Sequence, residues 1–120
     1  MILFIPGNVP SSKNGKIWTG KRLIWSKSAQ NYIKLTSRYW EEYSEIFAQS
    51  VKAKQLPIEV EFTFIRGTKH KFDYVNPLQT VLDLMVMYHW IEDDNADIIL
   101  PIFKPYRYDK DNPGVIIEIK

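Results

Sequence analysis

The chain has 120 residues, of which 45% are hydrophobic and 25% charged, and its formal net charge is +2. That describes one globular domain spanning 1–120, with enough Trp, Tyr and Phe for a sizeable core and no case for bulk disorder. With no cysteine and only two histidines, a disulfide scaffold, a thiolate metal centre, a cysteine nucleophile and a three-histidine site within one subunit are all excluded.

Residues 2–5 read as a short buried or edge strand, broken by Pro6 and Gly7. Gly7 to Gly15 is a polar loop containing Lys13 and the turn-forming Asn14. Residues 16–19 and 22–25 flank Gly20 as a small hairpin carrying Lys16, Trp18, Lys21, Arg22 and Trp25. Aromatics between bases can stack on nucleobases while the cations hold phosphates, although a Trp in a hairpin is more often packed core. A long helix is expected over about 28–50, capped by Ser26 or Ser28, with Tyr32, Leu35, Tyr39, Tyr43, Ile46 and Phe47 on its apolar stripe. Lys34 and Arg38 lie off that stripe.

Residues 57–65 alternate. Ile58, Val60, Phe62 and Phe64 face the core and Glu59, Glu61 and Thr63 the solvent. A basic turn with Lys69, His70 and Lys71 follows, and Phe72 to Val75 reads as a short extended piece. Asn76-Pro77-Leu78-Gln79 reads as a helix start, with Asn76 as cap and Gln79 closing a capping box. Leu78, Val81, Leu82, Met85 and His89 then share one side, and Gln79, Thr80 and Asp83 lie nearer the other. Residues 98–103 suit a strand that Pro101 confines to an edge or bulge. Residues 106–114 are a polar connection and 115–119 a last strand. The sum is an α+β domain with a mixed or antiparallel sheet and two main helices. Residues 1–6 lack the charged start and length of a signal peptide, and no run suits a membrane span, so the default compartment is the cytosol, with no membrane partner.

The modest net charge hides a split. Residues 1–40 hold seven Lys or Arg and no acid, whereas 41–120 hold nine bases and fourteen acids. A basic surface beside concentrated acids suits a nucleic-acid enzyme that uses cations, and equally suits two halves that attract each other. Asp73, Asp83, Asp93, Asp94 and Asp97 fall within 25 residues. A chain that turns back after Ile91 would carry Asp94 toward Asp73. Carboxylates gathered without thiol or imidazole companions favour a hard cation, magnesium or manganese, able to orient water at a phosphodiester. Plain surface acids, or turn caps at Asp93, Asp94 and Asp97, are the alternative. His89 reads as an interior or boundary histidine, and His70 as a surface phosphate contact or nothing.

Three stretches, Ile5-Pro6-Gly7 through Asn14, Asp73-Tyr74-Val75-Asn76 and Trp90-Ile91-Glu92-Asp93-Asp94, together resemble the RusA family of Holliday junction resolvases. Ile5-Pro6-Gly7 through Pro10-Ser11-Ser12-Lys13-Asn14 is similar to that family's loop after the first strand. Asp73-Tyr74-Val75-Asn76, followed by a helix carrying Asp83, is similar to its Asp-x-Asp-Asn motif. Trp90-Ile91-Glu92-Asp93-Asp94 is similar to its Asp-Asp segment. The resemblance implies a homodimeric, magnesium-dependent endonuclease (manganese as the alternative ion) that cuts four-way DNA junctions in recombination and repair, in the cytoplasm of a bacterial or phage-infected cell, with a prophage origin. By position it implies Asp73, Asp83 and Asp94 as catalytic acids, with Asp93 as a further metal ligand. Lys13, Asn14, Lys16, Lys21, Arg22, Lys34, Arg38, Lys69, Lys71 and Asn76 would meet branched double-stranded DNA. Two positions depart from the pattern. Val75 stands where the second motif aspartate belongs and would face the site beside Asp73 if the segment were extended, and Gln79 stands where the family often has lysine. A weakly active or inactive protein that binds branched DNA is therefore the second reading, and a structural or interaction protein the third.

Overall fold

The structure is a computed structural model that describes residues 1–11 and 24–120, together with the backbone of 16–18 and 23. Among the described residues, seven strands and two helices follow in the order β1 (Ile2–Pro6), β2 (Lys16–Trp18), β3 (Leu23–Trp25), α1 (Lys27–Val51), β4 (Ile58–Arg66), α2 (Val75–Met87), β5 (Ile99–Phe103), β6 (Arg107–Tyr108) and β7 (Gly114–Ile119). The main sheet is mixed, in the order β1-β7-β4-β5, with β6 also pairing β4. β7 runs antiparallel to both β1 and β4, while β5 and β6 run parallel to β4. A parallel pair needs a crossover connection, and α2 lies within the one from β4 to β5. β2 and β3 form the small antiparallel hairpin expected there.

β4 is the middle of the sheet. Its register sets Leu3, Ile117 and Phe62 in one row and Ile5, Val115 and Phe64 in the next. These inward residues join one buried cluster with Tyr32, Trp40 and Phe47 of α1 and Leu78, Val81, Leu82, Leu84 and Met85 of α2. Glu61 and Thr63, expected to face solvent, are instead buried on the outward side of this central strand, a correction to the half-buried alternation. Glu61 lies 3.5 Å from Lys104 and 3.4 Å from Lys120. Pro101 sits in β5, which among the described residues pairs only on its β4 side along the sheet, a place that suits a residue without an N–H.

Ser26 caps α1, its hydroxyl accepting the Ala29 N–H at 3.2 Å. The buried line differs from the expected stripe. It runs Ala29, Tyr32, Thr36, Trp40 and Phe47, and Leu35 is 76% exposed. The reason is that Thr36 brings no orphan polar group inward. Its hydroxyl donates to the Tyr32 carbonyl at 2.8 Å and accepts from the Trp40 indole at 3.0 Å. A polar residue satisfied in this way can occupy a core position.

The end of α2 is gripped by α1. The Trp90 indole packs 5.1 Å from both Trp40 and Phe47, and its Nε1 donates to the Trp40 carbonyl at 2.7 Å. Ser44 Oγ donates to the Tyr88 carbonyl at 3.1 Å. Between them His89 adopts φ 64, the left-handed conformation that ends helices and is usually given to glycine or asparagine. His89 is therefore exposed at the helix end and does not continue the apolar side of α2, correcting its sequence assignment. Among the described residues no helix is long and apolar enough to cross a membrane.

Trp90→Ala is expected to cost about 3–5 kcal/mol of stability. His89→Gly is expected to raise stability by about 1 kcal/mol through relief of the left-handed backbone. Urea denaturation of both variants checks the pair. Equal midpoints for Trp90→Ala and the parent would show that the indole does not anchor the turn.

Candidate functional site

The acidic run after α2 folds around one asparagine. Asn95 Oδ1 accepts the Asp97 N–H at 2.9 Å, and its Nδ2 donates to Asp93 Oδ2 at 2.8 Å. Its backbone carbonyl accepts the N–H groups of Ile98 and Ile99. This tight return, begun by the buried Trp90 and Ile91, carries Asp94 back along α2.

Asp94 meets Gln79 there. Gln79 Nε2 donates to Asp94 Oδ2 at 2.9 Å and to Asp83 Oδ1 at 2.8 Å. A primary amide carries two N–H donors, so both are directed at carboxylates. Gln79 and Asp83 are i,i+4 neighbours on one helix face, and Asp94 comes in from the return loop. Both carboxylates are half-buried and Gln79 is exposed. The amide stands between two negative charges and lets them approach.

The other sequence-derived acids lie apart from this pair. Asp93 is exposed and takes up the Asn95 amide. Asp97 is exposed in the return. Asp73 is exposed and lines a separate cavity of about 310 Å3 with Lys69, His70, Lys71, Phe72, Tyr74 and Tyr106. Among the described residues no group of three or more His, Asp or Glu is disposed to hold a metal ion within the single chain.

Two expectations about this segment need correction. Asn76 does not cap α2. Tyr74 is already helical (φ −51, ψ −37) and its carbonyl accepts the Leu78 N–H at 3.1 Å, while the Asp73 carbonyl accepts the Asn76 N–H at 3.0 Å. The helix therefore starts at Val75, and Gln79, released from a capping box, is available to the acids. Residues 73–75 are not extended, so the two-residue alternation that would align Val75 with Asp73 does not apply. Val75 is 64% exposed on the first turn of α2.

The loop after β1 is fastened directly behind this helix. Thr80 Oγ1, one residue past Gln79, donates to the Pro10 carbonyl at 2.8 Å. Arg66 donates from Nη1 to the Val9 carbonyl at 2.8 Å, and Asn8 Oδ1 accepts the Gly67 N–H at 2.9 Å. The Arg66 guanidinium is buried over the Phe72 ring, 4.7 Å from its centroid. Burial pulls its proton affinity down, and the neighbouring Tyr32 opposes that shift. Burial likewise pushes the Tyr32 phenol well above its usual value. Pro10 thus stands against α2 only three residues before Lys13. Lys13, Asn14, Lys21 and Arg22 lie outside the described residues, as does the side chain of Lys16.

Of the remaining basic candidates, Lys34 and Arg38 are exposed on α1, and Lys69 and Lys71 are exposed before α2. Arg38 donates to the Tyr39 hydroxyl at 2.8 Å and lies 4.8 Å from that ring. The Tyr39 hydrogen bond raises its already high proton affinity.

No protein-family model matches the chain, and no curated protein matches it. The functional reading therefore stands on the residues themselves. Gln79 and Asn95 are the polar residues that sequence reasoning underused. The i,i+4 spacing of Gln79 and Asp83, and an asparagine in the middle of an acidic turn, were the signals available for them.

Gln79→Leu is expected to lower stability by about 1 kcal/mol through loss of two charge-assisted hydrogen bonds and exposure of one carboxylate to the other. Gln79→Lys is expected to restore most of that loss at low salt and less of it at 0.5 M salt. Urea midpoints at the two salt concentrations give the comparison. Identical midpoints for Gln79→Leu and the parent would show that the bridge carries no energy.

Proposed function

We propose that the chain is a RusA-like structure-specific endodeoxyribonuclease that resolves four-way DNA junctions by magnesium-dependent phosphodiester hydrolysis, acting as a homodimer. The observation that carries the reading is the convergence of Asp83 and Asp94 on the Gln79 amide, beside the attachment of the basic N-terminal segment at Thr80. Resemblance in three ordered stretches of sequence supports the family assignment.

The donor set fits a hard cation. Asp83, Asp94 and the Gln79 amide oxygen offer oxygen only. Magnesium is usually held by one or two carboxylates together with waters and substrate phosphate, and does not need an all-protein cage. Asp83 and Asp94 would hold the ion, and Asp73 and Asp93 are the further acids the resemblance assigns. When bound, the ion supplies charge stabilisation at the scissile phosphate and orients a water. The protein's own part is positional. Gln79 keeps the two carboxylates together before DNA arrives, and the return loop ordered by Asn95 fixes the approach of Asp94. Lys34, Arg38, Lys69, Lys71 and the bases at 13–22 neutralise backbone phosphates, which gives affinity and shape selection without base reading. A two-fold dimer would match the two-fold symmetry of a junction.

A second reading, branched-DNA binding with little or no cutting, is favoured by one specific observation. Gln79 satisfies both carboxylates with a neutral donor where a cation would otherwise be recruited.

Cleavage of a labelled four-way junction in magnesium decides between them. The proposal expects symmetric cutting that EDTA abolishes and that Asp94→Asn lowers by about 100-fold or more. Cutting that is unchanged in Asp94→Asn contradicts the site. Tight junction binding without cutting in magnesium or manganese selects the second reading.

A further inference from the structure

The segment between β4 and α2, Lys69-His70-Lys71-Phe72-Asp73-Tyr74, forms a cavity with Tyr106 that the acid pair does not use. Its wall is aromatic. Phe72 and Tyr106 meet edge to face, with centroids 5.0 Å apart and planes at 85°. Tyr74 lies 5.5 Å from Phe72 and 6.4 Å from Tyr106, and Phe103 packs on Tyr74 at 4.9 Å. Two contacts hold these rings in place. The buried Arg66 guanidinium covers Phe72, and the Tyr74 hydroxyl accepts the Tyr106 backbone N–H at 3.0 Å.

Core packing does not account for the outer rings. Tyr106 is 54% exposed and Tyr108 45% exposed. Lys69 Nζ lies 5.1 Å from the Tyr108 centroid, and Lys69, His70 and Lys71 are all exposed. Fixed, half-open rings beside flexible cations match the chemistry of a nucleotide, whose base offers a π face and whose phosphate seeks ammonium groups. The cavity is also polarised. The Asp73 carboxylate repels phosphate and can accept an N–H from a base edge, so the phosphate is assigned to the lysines and the base to Tyr106. Bases within a duplex are stacked on one another and present no free face, so only an unstacked nucleotide fits.

We infer that this cavity takes one unstacked nucleotide of a nucleic-acid strand, its base against Tyr106 and its phosphate at Lys69 and Lys71. The inference rests on the branched-DNA reading and adds to it the place where an unpaired base at the branch is held.

The test uses the full chain in EDTA, so that binding is read without cutting. The probes are a DNA with a single unpaired 2-aminopurine, a fully paired duplex of the same length, and free dAMP. Wild-type protein is expected to quench the unpaired 2-aminopurine. Tyr106→Ala is expected to abolish the quenching and weaken binding of that probe about tenfold, with duplex affinity held within about twofold, whereas Tyr106→Phe retains both. Lys69→Ala with Lys71→Ala is expected to weaken the unpaired probe more than the duplex. Quenching and affinity that survive Tyr106→Ala would overturn the inference, and so would an equal loss on the duplex. Free dAMP bound as tightly as the unpaired strand would assign the cavity to a mononucleotide and overturn it as well. If DNA binding persists in those cases, the branched-DNA reading stands without this subsite; if no DNA is bound at all, both fall.

Discussion

One aromatic contact governs the geometry that matters here. The Trp90 indole is buried against Trp40 and Phe47, and its only N–H is given to the Trp40 carbonyl. An indole in that position contributes both area burial and a directed hydrogen bond. It fixes where α2 ends, it requires a residue in the left-handed conformation immediately before it, and it sends the following acids back along the helix. Asp83 has its place from the helix alone. Asp94 has its place only because Trp90 does.

The second constraint is polar and local. Side-chain amides organise the acids. Asn95 shapes the return and Gln79 joins its carboxylate to that of the helix. Thr80, Arg66 and Asn8 tie the loop after β1 to the same helix and to the end of β4. The consequence is a preformed pair of carboxylates beside the origin of a basic segment, with charge partly offset by dipoles. Under the proposed function, such a site would have less intrinsic pull on a cation than three or four gathered acids, and would lean more on a phosphate ligand to complete the coordination shell. Under that proposal, catalysis and mere binding would therefore lie close together, with Gln79 as the residue on which the balance turns.

Much of the architecture was legible from pattern alone. The alternation at Ile58 to Phe64 marked a strand, Ser26 or Ser28 the start of the long helix, and Pro101 an edge or a bulge; that the strand lies in mid-sheet, with Glu61 and Thr63 covered, was not marked. What failed were inferences in which a polar group was assumed to point outward. Thr36 entered the core because its hydroxyl had two partners within its own helix, which moved the buried line away from Leu35. Asn76 looked like a cap, but backbone hydrogen bonds accepted by the Asp73 and Tyr74 carbonyls had already started the helix. The return after Ile91 was anticipated, but its target was not. Asp94 arrives at Gln79 and Asp83, whereas Asp73 lines the neighbouring aromatic cavity. Side-chain amides carry no periodic signal, and their partners are set by tertiary packing, so the bridge was beyond the reach of pattern reading.

The candidate site exists only if Asp94 and Asp83 share the Gln79 amide because Trp90 is seated. A nitrogen-edited NOESY spectrum of the labelled protein tests this directly at the Gln79 side-chain amide. The expected result is a pair of resolved Gln79 amide protons with cross-peaks to the β-protons of both Asp83 and Asp94, and loss of the Asp94 peaks in Trp90→Ala with the Asp83 peaks retained. A Gln79 amide with no cross-peak to Asp94 in the native protein would contradict it.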